Sequence, residues 1–151
     1  MTKGEFDSLL ANRAKRIDGD IKWSESKTIP NVLDFRVRVF STSGYALVIK
    51  GSHHLLLKKT SFTLFNQKLG RIFSVDFDRA HGDAGSCHLH RWNGNKLTVI
   101  RATATPQIAG NPLTLWQWFC EQAGITHNGQ LAELPEQPPD QASLFGKSQG
   151  R

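Results

Sequence analysis

An α+β domain is expected from this sequence: a largely antiparallel, meander-like β-sheet, an N-terminal and a C-terminal helix, and a disordered C-terminal tail. Three observations carry that expectation. Apolar residues recur at helical spacing near both ends of residues 1–130. Between them, short runs alternate apolar with polar at period two. The connections between those runs are brief turns, which antiparallel neighbours allow and parallel ones do not. One domain is the natural count for 151 residues. Residues 1–130 read as that domain, and 131–151 as a Pro-rich linker with a docking peptide.

The elements follow in order. Over residues 5–17, Phe6, Leu9, Leu10, Ala14 and Ile17 share one helical stripe. Arg13, Lys15 and Arg16 fall near its C-terminal end, where cations suit the helix dipole, and Asp18-Gly19-Asp20 ends it. That position explains these basic residues as well as phosphate binding does. Leu33, Phe35, Val37 and Val39 then alternate with Asp34, Arg36 and Arg38, which predicts a half-buried strand with a basic outer face. A turn at 41–44 leads to a strand over 45–50, and Gly51-Ser52 reads as a break before an extended run to Phe65. Residues 66–70 connect to the strand 71–78, where Phe73, Val75 and Phe77 share a face. Strands over 87–92 and 96–102 flank Asn93-Gly94-Asn95, whose Asn-Gly pair suits a hairpin turn. Asn111 and Pro112 open the last helix as N-cap and first residue, and Gly124 closes it. Trp116, Phe119, Cys120 and Ala123 should face the sheet. Trp118 is left near the edge, where it can pack at an interface or stack on a base.

Composition narrows the function. The net charge is +6; the tail, with two cations and three carboxylates, contributes −1 and leaves the domain at +7. A basic domain suggests nucleic acid, DNA or RNA, through attraction to phosphates. Arg36, Arg38 and Arg91 are the candidate contacts. No apolar run reaches membrane-spanning length, and Met1–Phe6 has no signal-peptide core, so no membrane partner and a cytoplasmic location are expected. Cys87 and Cys120 form no CxxC pair and no disulfide framework. No P-loop, nucleophile elbow or Rossmann glycine pattern appears, and no cofactor is expected.

The polar constellation that stands out is Asp76-Phe-Asp78-Arg-Ala-His81-Gly-Asp83, followed by Cys87-His88-Leu-His90-Arg91-Trp92. On a strand, His88 and His90 project from one face about 7 Å apart. Asp76 and Asp78 share a face of the preceding strand, and His81 and Asp83 lie in the connecting loop. Two chemistries suit such a set. His, His and Asp can bind Zn²⁺, Mn²⁺ or Ni²⁺ and activate water, although no metal is assigned. Alternatively, one His as general base and another as acid, with Arg91 or Arg79 on the phosphate, suits metal-free RNA cleavage; His81, His88 and His90 are then the candidate catalytic residues. The plain structural reading is a polar strand face and an Asp/Gly-rich turn. The run His81, His88, His90, Arg91-Trp92 resembles small uncharacterised bacterial proteins with a His-loop-His-x-His pattern, some near toxin–antitoxin loci (the TumE-like toxins). That resemblance spans about a fifth of the chain and implies no settled mechanism.

From Leu131 the sequence changes character. Three prolines fall within 131–140, with neither helical nor alternating apolar pattern, which predicts an extended linker reaching up to ~30 Å. Beyond it, Gln141-Ala-Ser143-Leu144-Phe145 places two large apolar side chains in a polar segment. The pentapeptide resembles the short motif by which bacterial polymerases, repair proteins and some mobile-element proteins dock on the DNA polymerase sliding clamp. Gln141, Ser143, Leu144 and Phe145 match that motif, and Ala142 departs from its preferred Leu. The resemblance implies a bacterial or phage protein whose partner is the clamp, with the domain acting at nucleic acid or on replication proteins. A small ribonuclease-like toxin and a structural adaptor of a mobile element are the alternatives.

Overall fold

The computed structural model describes residues 2–78, 86–92, 96–101 and 111–135. In these, two helices accompany a seven-stranded antiparallel sheet, as expected for an α+β chain. The elements are α1 (Lys3–Ala11), β1 (Lys15–Asp18), β2 (Ser24–Glu25), β3 (Val32–Val39), β4 (Leu47–His54), β5 (Lys59–Asn66), β6 (Gly70–Asp78), β7 (Ser86–Trp92), β8 (Leu97–Arg101), α2 (Pro112–Ala123) and β9 (Ile125–Asn128). Strands β2 to β8 pair in chain order, a pure meander. β1 and β9 form a separate two-stranded parallel pair.

The alternation of β3 carries through the sheet. Leu33 and Phe35 face Ile49, Phe62, Leu64, Phe73 and Val75 on one side, all 7% exposed or less. The helices cover this side. Trp116 of α2 meets Phe35 edge-on at 5.6 Å and Phe62 at 5.1 Å, and Phe119 stacks on Phe73 at 5.7 Å. Phe6, Leu9 and Leu10 of α1 complete the same cluster. The caps of α2 are those the sequence predicts. The Asn111 side chain accepts from the Leu113 amide, and Gly124 takes the left-handed conformation at φ 69°, which glycine adopts without steric cost.

Helix α1 is shorter than its apolar stripe predicts. It starts in a capping box, Thr2 with Glu5, but stops at Ala11. Asn12 turns extended, and its side chain accepts from the Ala14 amide. Ala14 is therefore exposed, and Ile17 is buried as a strand residue. Lys15 folds back under the helix. Its Nζ donates to the carbonyls of Leu9 and Leu10 at 2.8 Å, and also to that of Asn12. The cation thus satisfies carbonyls that the helix end leaves unpaired. Burial, and secondarily Arg13, pull this ammonium down to about 8. The partner that makes 15–18 a strand is β9, 110 residues away, beyond the reach of local periodicity.

Two other expectations change. Gly51 is no break; it lies mid-strand in β4, opposite Phe35. A Cβ there would sit 2.2 Å from the Phe35 ring, so the absent side chain makes room for the aromatic. The reversal comes at 55–58 instead, where His54 Nδ1 accepts from the amides of Leu56 and Leu57. The start of the predicted linker is also part of the packed structure. Leu131 is 5% exposed and bridges Ile21, and Trp23 donates its indole N–H to the Ala132 carbonyl at 3.0 Å.

Candidate nucleic-acid interface

Because both helices lie on one side, the outward side chains of β3 to β7 form a face with no layer over it among the described residues. Strand register orders that face into rows running across the strands. In the first, Arg38, Val48, Phe65 and Arg71 are successive partners. The second is Arg36, Lys50, Thr63, Ser74 and His90. The third is Asp34, Ser52, Ser61, Asp76 and His88. Charge divides accordingly: Arg36, Arg38, Lys50 and Arg71 are all exposed in the first two rows, and both carboxylates fall in the third.

Arg71 reaches this face through an irregularity. The β5–β6 register shifts between Leu64 and Phe65, so that Leu64 opposes Phe73 while Phe65 opposes Arg71. Ile72 is the extra residue. In regular alternation it would point outward and Arg71 inward; instead Ile72 is 1% exposed in the core and Arg71 is exposed. A bulge of this kind re-aims a side chain. Arg71 thereby lies over the Trp92 ring at 5.1 Å, and Arg36 lies over Phe65 at 5.0 Å. Each such pair contributes about 0.5–1 kcal/mol when exposed and holds the guanidinium in place.

A groove of about 350 Å³ is lined by Arg71, Trp92, Ser61, Asp76 and His90. Asp76 is its anchor. It accepts from Ser61 Oγ at 2.7 Å through Oδ1, and its Oδ2 sits 2.9 Å from His90 Nε2. His90 stacks on Trp92, at 6.0 Å and 24°, and its ring centroid is 6.2 Å from that of His88. The carboxylate therefore orients one imidazole of a neighbouring pair, as an acid–base site requires. Cys87, on the other side of β7, is no nucleophile at neutral pH, because burial, then the Asp76 charge, push its thiol up to about 11. Among the described residues no three His, Cys, Asp or Glu side chains gather to hold a metal ion.

The structure brings together part of the predicted set. His88 and His90 share a face with Asp76, and Arg36 and Arg38 share it too. Arg91 does not. It pairs with Phe73 in the inward register and lies on the helix side, where its charge, after that of Lys3, helps hold the Asp7 carboxyl below its ordinary value. The alternation of β7 thus directs Arg91 away from His88 and His90. His81, Asp83 and Arg79 lie outside the described residues, as do Gln141, Ser143, Leu144 and Phe145. The sequence expectations do not single out Lys50 or Phe65: a break at Gly51 cuts the β4 alternation that places Lys50 outward, and Phe65 lies among apolar residues of β5 whose faces only the pairing separates. Continuing the alternation of Leu47 and Ile49 through Gly51 to His53 puts Lys50 on the outer face. Arg71 had no local signal, since the bulge is visible only in the pairing.

Two histidines away from the open face have structural roles. His53, 4% exposed, shares a hydrogen bond with Thr60 Oγ1 at 2.8 Å, and burial, then Lys58 and His54, pull it down to about 4. His127 accepts from Trp116 Nε1 at 3.1 Å, which makes Nε2 its donor to the Gly19 carbonyl at 2.8 Å. Compared with known proteins, the chain matches no protein-family model, no curated protein and no solved structure.

Proposed function

We propose that this protein docks on the bacterial DNA polymerase sliding clamp through Gln141–Phe145 and meets nucleic acid with its open sheet face. The observation that carries the docking is the peptide itself, Leu144 and Phe145 beside Gln141 at the end of a proline-rich segment. Such a pair fills a pocket while the amide adds directional hydrogen bonds. Support for the nucleic-acid half is the grouping of Arg36, Arg38, Lys50 and Arg71 apart from carboxylates. A lone peptide binds at about micromolar strength, since ordering it consumes part of the contact energy; domain contacts to nearby DNA add avidity. The test is binding of the full-length protein to purified clamp, beside Leu144→Ala/Phe145→Ala. Micromolar binding abolished by the double change supports the reading, and no binding by the unaltered protein refutes it.

A second reading is favoured by the Asp76–His90 contact and the nearby His88. One imidazole would take the proton of an RNA 2′-hydroxyl as its oxygen attacks phosphorus. The other would protonate the departing 5′-oxygen, leaving a 2′,3′-cyclic phosphate. Cleavage of RNA but not DNA in the presence of a chelator, lost in His88→Ala and His90→Ala, would establish it. Intact RNA after prolonged incubation would exclude it.

A further inference from the structure

The nucleic-acid half of that reading can be sharpened to a strand type and a path. We propose that the two carboxylate-free rows are a track for single-stranded nucleic acid, which crosses the β-strands from Arg36 and Arg38 to Trp92. Along the track, cation and ring alternate: Arg36 on Phe65, then Arg71 on Trp92. A planar guanidinium held flat on a ring extends the stacking surface and keeps N–H donors for phosphate oxygens. Unpaired bases offer both π-faces to such a surface, and stacking accepts any base.

Three features favour a single strand over a duplex. The face is a sheet surface; among the described residues no helix or ribbon stands out from it to enter a major groove. Its rings, Phe65 and Trp92, have nothing to stack on in a duplex, whose bases are stacked already. Its length also fits: β3 to β7 is four strand spacings, about 19 Å at ~4.8 Å each, the span of a short strand segment. The third row sets the boundary. Asp34 and Asp76 repel phosphate along one side, and Asp76 is held there by Ser61. The bulge at Ile72 is the device that makes the track continuous, since without it Arg71 would point into the core.

The test uses the full-length protein and labelled oligo(dT), oligo(rU) and a duplex, each about twelve units long, with binding read by fluorescence anisotropy across salt. Both single strands should bind more tightly than the duplex. The logarithm of affinity should fall with the logarithm of salt at a slope of about −3, as four phosphate contacts give. Trp92→Ala should weaken single-strand binding about tenfold, while Trp92→Phe, which keeps a ring, should regain most of it. Asp34→Asn should cause no loss. Equal binding of single strand and duplex, unchanged in Trp92→Ala, would overturn the track and leave the broader nucleic-acid reading standing. No binding to any of the three oligonucleotides would overturn both.

Discussion

The two faces of the seven-stranded sheet come from the same strands and the same alternation, yet they handle polar groups in opposite ways. On the covered face, side chains such as Ile49, Phe62, Leu64 and Val75 are wholly buried, and the polar pair His53–Thr60 satisfies itself with one hydrogen bond. On the open face, polar groups connect sideways across strands: Ser61 to Asp76 to His90, and guanidinium to ring. A buried polar atom must pair at home because no water reaches it. An outer one is free to be arranged for a ligand. The comparison therefore separates residues that hold the fold from residues available for binding.

Substitutions can test that separation. The largest effect is expected from Phe62→Ala, since its ring meets Trp23, Phe35, Trp116 and Phe119. Urea unfolding should show a loss of about 3–5 kcal/mol; a loss below ~1 kcal/mol would contradict the packing. Acid comes next. His53 titrates near 4 in the fold and near 6.5 in the unfolded chain, so the unfolded state binds the extra proton first. Its contribution is complete above pH 6.5 and is lost as pH falls toward 4, on the order of 2–3 kcal/mol. Thermal melts from pH 7 to 5 should show this slope, flattened in His53→Leu. Gly51→Ala should cost about 1–3 kcal/mol, because its Cβ collides with Phe35. Arg71→Ala should move stability by under ~1 kcal/mol while reducing nucleic-acid affinity. Equal stability losses from Arg71→Ala and Phe62→Ala would erase the distinction between the faces.

Much of this was legible in the sequence, for identifiable reasons. Alternation in 33–39 and 71–78 located the covered face, and Asn111, Pro112 and Gly124 located α2, since caps and period-two patterns are local. What escaped depended on distant partners. Ile17 mimics a helical stripe but is held by β9; Gly51 looks like a break until Phe35 is placed above it; Arg71 faces outward only because β6 carries an extra residue. For the site, the sharing of a face by Asp76, His88 and His90 followed from counting residues along strands. The expectation that Arg91 joins the histidines on a phosphate does not hold, since the same count puts it on the opposite side of β7. The Ser61–Asp76–His90 chain did not follow from that count, because Ser61 comes from a strand paired by the turn at 66–70.

The parallel pairing of β1 with β9 has a consequence for how the molecule is made. Ribosomes release a chain from its N-terminus, so α1 and β1 emerge before β9, the parallel partner of β1, which lies 110 residues behind it. The meander from β2 to β8 can zip as each hairpin appears, whereas the parallel pairing of β1 must wait for β9. Closing so long a loop carries the larger entropy cost, so this pairing is expected to form after the hairpins. A nascent chain ending before residue 125 would leave β1 with only its bridge to Phe40 and α2 without the Trp116–His127 bond. Completion of the domain is thus tied to synthesis of its last elements, β9 and the segment through Leu131.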